Sequence, residues 1–183
     1  MAVPVSELQK SNPSAIIELF ILQLSTAIHG ANTIHRFHAG RNQNGNAEIV
    51  YGGVTYTALP LESEGFGYNP KQSPRPTLRI ANVGGNITTI LATLSMGLEG
   101  ASLTRRSTLL RYLDATNFSG GSTPYTADST AYWDEKFIVD RKAVENREIV
   151  EYELRASYDL QNIKVPKRQV LPNDFPGVGS FRA

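Results

Sequence analysis

His29, His35 and His38 are the only histidines in the chain, and all three fall within one short, turn-rich stretch. Histidine is a frequent zinc ligand, and on a helical turn His35 and His38 would share a face and hold a metal with a carboxylate as third ligand. On a strand the same spacing turns them to opposite faces. Gly30 and Gly40 nearby argue against a helix. A metal-dependent hydrolase built on these histidines is therefore the enzyme alternative, and a surface cluster is the plainer reading.

Other constellations are incomplete. Gly65-Phe66-Gly67 and Val83-Gly84-Gly85-Asn86 resemble fragments of phosphate loops, the second opening a predicted helix. Neither carries the Gly-Lys-Ser/Thr ending of a nucleoside-triphosphate loop or the three spaced glycines of a dinucleotide fold. There is no Gly-x-Ser-x-Gly elbow, and with no cysteine there is no thiol nucleophile, no disulfide framework and no cysteine-ligated cluster. The sequence predicts no catalytic, cofactor or metal residues.

Arg105, Arg106 and Arg111 form the densest basic stretch. On a predicted strand from Ser102 to Leu113, alternation sends Arg105 and Arg111 to one face and Arg106 to the other. Such a strand suits polar pairing between subunits or a solvated face. Eighteen basic against 17 acidic side chains leave a formal charge of +1, so no net field recruits nucleic acid or an anionic membrane. The nearby aromatics form no stacking platform, which weighs against a nucleic-acid-binding protein.

The elements that must position these residues are mostly strands. With 183 residues, 40% of them hydrophobic, one domain with one core is expected. Ala15 to Leu24 reads as a core strand buried on both faces, with a helix as the alternative, and is too short to span a bilayer. The Met-Ala-Val-Pro start lacks an export signal, so the product is expected to stay in the producing cell.

Glu48–Tyr51 and Val54–Thr57 flank Gly52-Gly53, the pattern of a tight hairpin. Leu61 to Pro76 holds too many glycines and prolines for anything but loop or edge structure. A strand follows at Thr77–Ile80. Ile87, Ile90, Leu91, Leu94 and Leu98 then have the one-sided spacing of a short amphipathic helix. A Ser-, Thr- and Gly-rich loop from Asp114 to Asp128 is expected to be exposed. Two further strands are predicted over Tyr132–Asp140 and Glu148–Ser157, the latter with Val150, Tyr152 and Leu154 on a buried face. Residues 165–183, rich in proline and glycine, read as an extended arm. The fold class is thus β-rich (α+β): a barrel or sandwich-like domain over residues 1–164, one short amphipathic helix, and a C-terminal arm over 165–183.

Three blocks carry a family resemblance: Tyr56-Thr57-Ala58-Leu59-Pro60-Leu61-Glu62-Ser63-Glu64-Gly65-Phe66, then Arg75-Pro76-Thr77-Leu78-Arg79-Ile80-Ala81-Asn82, then Arg105 through Phe118. In this order they resemble the phage minor tail protein L family of lambda-like siphophages, from about Ser14 to Phe118 and again at Phe175-Pro176-Gly177. The resemblance implies a non-enzymatic structural protein of the tail-tip hub, between the distal tail protein and the central host-recognition protein, assembled in the host cytoplasm and carried in the virion. It further implies a homotrimer in the virion, which in isolation is expected to be a monomer. Many members extend into a cysteine-rich region holding an iron–sulfur cluster, which a chain without cysteine cannot reproduce, so no cofactor is expected. The chemistry of its side chains nominates Arg75, Arg105, Arg106, Arg111, Pro166 and Phe175 as assembly-interface residues.

Overall fold

The computed structural model describes residue 7, residues 9–40, 48–67, 74–82 and 97–157, and residues 171 and 175. Nine strands follow one another: β1 Ile16–Gln23, β2 Ile34–His38, β3 Glu48–Tyr51, β4 Val54–Ala58, β5 Leu61–Glu64, β6 Thr77–Ala81, β7 Ser102–Leu109, β8 Tyr132–Glu145 and β9 Ile149–Ala156. A single turn of helix, α1 Thr26–His29, joins β1 to β2. The β-rich, barrel-like fold class is thus correct, and the predicted amphipathic helix after Asn86 falls largely outside the described residues.

The strands form one sheet in the order β3-β4-β2-β1-β7-β8-β9-β6-β5. Although β4 and β5 lie near opposite ends of that order, only Leu59 and Pro60 separate them in the chain. The Leu59 N–H donates to the His38 carbonyl at 2.9 Å, prolonging the parallel β2–β4 pairing. The Ala81 N–H donates to the Pro60 carbonyl at 2.8 Å, prolonging β5–β6. One continuous run of chain thus borders both β2 and β6, and the sheet wraps round on itself as a barrel. Closure of this kind removes edges that would otherwise invite pairing with other chains.

Alternation sorts the side chains into two cores. Phe20 and Leu22 of β1, Leu103 of β7, Phe137 and Val139 of β8, Val150, Tyr152 and Leu154 of β9, and Leu78 and Ile80 of β6 pack together inside the barrel. The Phe20 and Phe37 rings stack there at 5.7 Å. Leu19, on the opposite face of β1, packs outside the barrel with Ile49, Tyr51, Tyr56, Leu113 and Phe118. Leu19 and Phe20 are both fully buried, so β1 is the doubly covered strand its composition predicts. The predicted alternation of β9 is also observed, Val150, Tyr152 and Leu154 being buried while Glu151, Glu153 and Arg155 remain partly exposed.

Three features differ from the sequence expectation, and one agrees with it. The strand predicted to reach Leu113 stops at Leu109, where Leu110–Tyr112 wind into a 3-10 turn. The strand predicted to end at Asp140 continues to Glu145, held to β9 through two register shifts, at Asp140 and at Ala143. Leu61–Pro76 contributes β5, the last strand of the sheet order, in keeping with loop or edge structure. The loop after Asp114 buries Asn117 and Phe118 instead of exposing them.

The Tyr152 hydroxyl is buried in the barrel without a hydrogen-bond partner, and its burial pushes the phenol pKa up. An unpaired buried hydroxyl costs free energy that its removal recovers. Tyr152→Phe is therefore expected to leave unfolding stability within about 1 kcal/mol of the parent or to raise it. A denaturant midpoint clearly below the parent's, at equal slope, would contradict this.

Candidate functional site

The predicted interface residues do not converge. Arg105 stands on the inward face of β7, where its guanidinium bonds Glu135 of β8 at 2.8 Å and also Glu18 of β1. The Phe66 ring lies 4.6 Å from that guanidinium and packs edge-on to Phe137, at 5.2 Å. Two carboxylates and an aromatic face thus compensate a charge of limited solvent access.

Arg106 turns to the face opposite Arg105, as predicted, which here is the outer one. Its Nε and Nη2 donate to the two oxygens of Asp134, each at 2.8 Å, and its guanidinium sits 3.8 Å above the Tyr132 ring. Those hydrogen bonds hold the Arg106 pKa above its already high value. A two-pronged pair flattened on an aromatic ring fixes the side chain in one geometry.

Arg111 does not share a strand face with Arg105, contrary to expectation, because the strand has ended two residues before it. The 3-10 turn carries it to the N-terminal segment, where it bonds Glu7 and lies 5.2 Å from the Tyr125 ring. Its backbone N–H donates to Ser14 Oγ at 3.2 Å. Arg75 is exposed just before β6. Phe175 is 45% exposed and donates its N–H to the Leu171 carbonyl at 2.9 Å. Pro166 lies outside the described residues.

The histidines are held apart. His29 ends α1 buried, its Nδ1 accepting the Ser25 N–H at 3.0 Å and its Nε2 set 3.1 Å from the Glu99 carbonyl, as the Nε2–H tautomer requires. His35 and His38 occupy β2 three residues apart, so they face opposite sides of the sheet. His38 Nδ1 accepts the Gly40 N–H at 3.0 Å. Among the described residues no three histidine or carboxylate side chains gather where a metal could bind.

Sequence reasoning missed a clamp inside the third block. Asp114 accepts the N–H groups of Gly52 and Gly53 at 3.2 and 2.7 Å, capping the β3–β4 turn. Asn117 accepts the Val50 N–H at 2.8 Å and donates to the Val50 carbonyl at 2.6 Å and the Asp114 carbonyl at 2.8 Å. Its side-chain amide thus pairs with β3 as a neighbouring strand would, which blunts the free edge. Gly52 and Gly53 adopt φ of 61° and 74°, the left-handed geometry that the sequence predicts for this hairpin.

Beyond the turn, the carboxylate of Asp128 accepts the Thr130 hydroxyl at 2.7 Å and the Thr130 N–H at 2.8 Å. These bonds favour the ionised form and hold its pKa below the usual carboxylate range. A folded pKa so depressed contributes stability above the unfolded value, and that contribution is lost as pH falls through the folded one. In an NMR titration, Thr130→Val is expected to move the Asp128 midpoint upward. An unmoved midpoint would discard the hydroxyl as the cause.

Comparison with known proteins adds three findings. The family model described as phage minor tail protein L matches residues 26–182. The tail tip protein L of Escherichia phage lambda is 31% identical over 121 residues, covering 65% of this chain and 50% of that protein. A chain from the virion of a native gene transfer agent particle shares the fold at a TM-score of 0.52 and 11% identity, covering 87% of this chain and 46% of its own. The chain therefore spans about half the length of these two relatives.

Proposed function

This chain belongs to the phage minor tail protein L family, and from that premise we propose that it is a structural protein of the tail tip of a long-tailed bacteriophage. In this reading it is a virion component of the hub, joining the distal tail ring to the central host-recognition protein and helping to initiate tail assembly. The observation that carries the proposal is the family match over residues 26–182. The likeness to lambda's tail tip protein L supports the same location.

The reading assigns residues 1–164 to a hub domain and residues 165–183 to an arm that reaches neighbouring proteins. A homotrimer suits a closed ring, and the isolated chain is a monomer until partners order it. Assembly takes place in the host cytoplasm. Arg75, exposed before β6, and Phe175, exposed near the C-terminus, are among the predicted interface residues with surface to offer, as is the partly exposed Arg111, and Pro166 belongs to the same arm as Phe175. Arg105 and Arg106 act at one remove, since their ion pairs hold the strands that present the surface. The separated histidines and the absence of a metal-sized cluster among the described residues give the hydrolase alternative no support.

The test is mass determination of the purified protein, alone and mixed with its phage's distal tail and central tip proteins, together with mass spectrometry of intact virions. A copy number matching a trimer and a stable complex with those partners are expected. Absence from virions would overturn the proposal.

A further inference from the structure

Where the N-terminal segment meets the 3-10 corner, Glu7, Lys10, Asn12, Ser14, Arg111 and Tyr125 line a concave pocket of about 260 Å³. Its chemistry is lopsided. Arginine carries five N–H donors and lysine three. Among the described residues, the Arg111 guanidinium and the Lys10 ammonium each find one hydrogen-bonding partner, the same carboxylate of Glu7. Asn12 and Tyr125 also border the pocket. Two cations share a single anion, so the site keeps a net positive charge.

The guanidinium is also oriented. It lies 5.2 Å from the Tyr125 ring and 5.9 Å from the Tyr112 ring, while the Arg111 backbone is tied to Ser14 Oγ. An arginine flanked by aromatic rings and tied through its backbone has restricted freedom, and a guanidinium so restrained suits a carboxylate received on two prongs.

We propose that this pocket is a carboxylate-binding site, which Arg111 and Lys10 use to engage an acidic side chain of a neighbouring protein. One carboxylate neutralises the excess charge of the site; a nucleic-acid phosphodiester carries the same single charge, but the chain's formal charge of +1 supplies no wider field to hold a polyanion, so a protein carboxylate fits better than a nucleic-acid backbone. That the neighbour is a tail protein rests on the proposed function; the anion site itself does not. Glu7 then acts as an internal competitor, occupying part of the donor set until a partner arrives.

The test uses the intact purified chain and two probes, N-acetyl-glutamate amide and the phosphodiester dimethyl phosphate, followed by NMR at the Tyr125 ring and the Arg111 side chain. Saturable shifts with the glutamate probe are expected. Arg111→Met is expected to abolish them, with folding checked by circular dichroism. Lys10→Gln, at an exposed position that leaves the fold intact, is expected to weaken binding by roughly two- to fivefold, the reach of one exposed ion pair. Glu7→Gln is expected to tighten it by a similar factor, because it frees both cations. No saturable shift, or binding indifferent to all three substitutions, overturns the proposal, and tighter binding of the phosphodiester than of the carboxylate overturns its assignment to a protein partner. Binding of the probe by a protein that proves absent from virions would leave the anion site standing and remove only the tail-protein partner.

Discussion

Replacing Phe20 by alanine is expected to lower the unfolding free energy by about 3–5 kcal/mol, the range for truncating a buried phenylalanine. Phe20 is fully buried, stacks on Phe37 of β2 and approaches Phe66 at 6.5 Å. It therefore sits where β1, β2 and the chain leaving β5 meet inside the barrel. Neighbours on rigid, mutually paired strands collapse poorly into a void, which places the cost toward the upper end. For a domain of this size the melting temperature should fall by roughly 10 °C. Phe20→Leu, which keeps much of the volume, should lose considerably less. Equal losses for the two variants would show that ring packing is not what Phe20 contributes.

The second large effect is expected at Asn117, which is 2% exposed and satisfies both the N–H and the carbonyl of Val50. Asn117→Ala removes three hydrogen bonds and strips two backbone groups of their partner. Unmet buried polar groups cost about 1–3 kcal/mol each, so a loss of about 2–4 kcal/mol is expected. The damage should be local. The Val50 amide should exchange with solvent much faster, while amides in β7 and β8 keep their relative protection. Asn117→Asp should fare no better, because it keeps an acceptor for the Val50 N–H but sets a carboxylate against the Val50 carbonyl. Unchanged exchange at Val50 would mean that the clamp does not hold the hairpin.

Much of the fold was legible because strand alternation is a short-range property. Val150, Tyr152 and Leu154 declared their face, and Gly52-Gly53 declared their turn, from residues within a few positions of each other. The family blocks pointed to the right family for a related reason, since each spans contiguous chain. What could not be read was long-range. Glu7 and Arg111 are 104 residues apart, and Asn117 lies 67 residues from the strand it seals. Neither partner carries a mark of the other. The end of β7 was missed because Leu110, Tyr112 and Leu113 continue the run of large β-forming side chains, and periodicity alone cannot distinguish a strand from a 3-10 corner packed on the same core. For the arginines, the sequence identified basic residues, but only the fold shows that Arg105 and Arg106 are committed to partners on adjacent strands.

The junction at Leu59-Pro60 has a mechanical meaning. In an open sheet, thermal fraying begins at an outer strand and proceeds inward one ladder at a time. Here the run that borders β2 is covalently continuous with the run that borders β6, so loosening one seam drags on the other. The barrel has no loose end from which to unravel, and its strands should open together, whereas β3, which lies beyond β4 at the end of the sheet order and is fastened by Asn117, can detach and return on its own. A molecule built this way combines a stiff ring with one yielding panel.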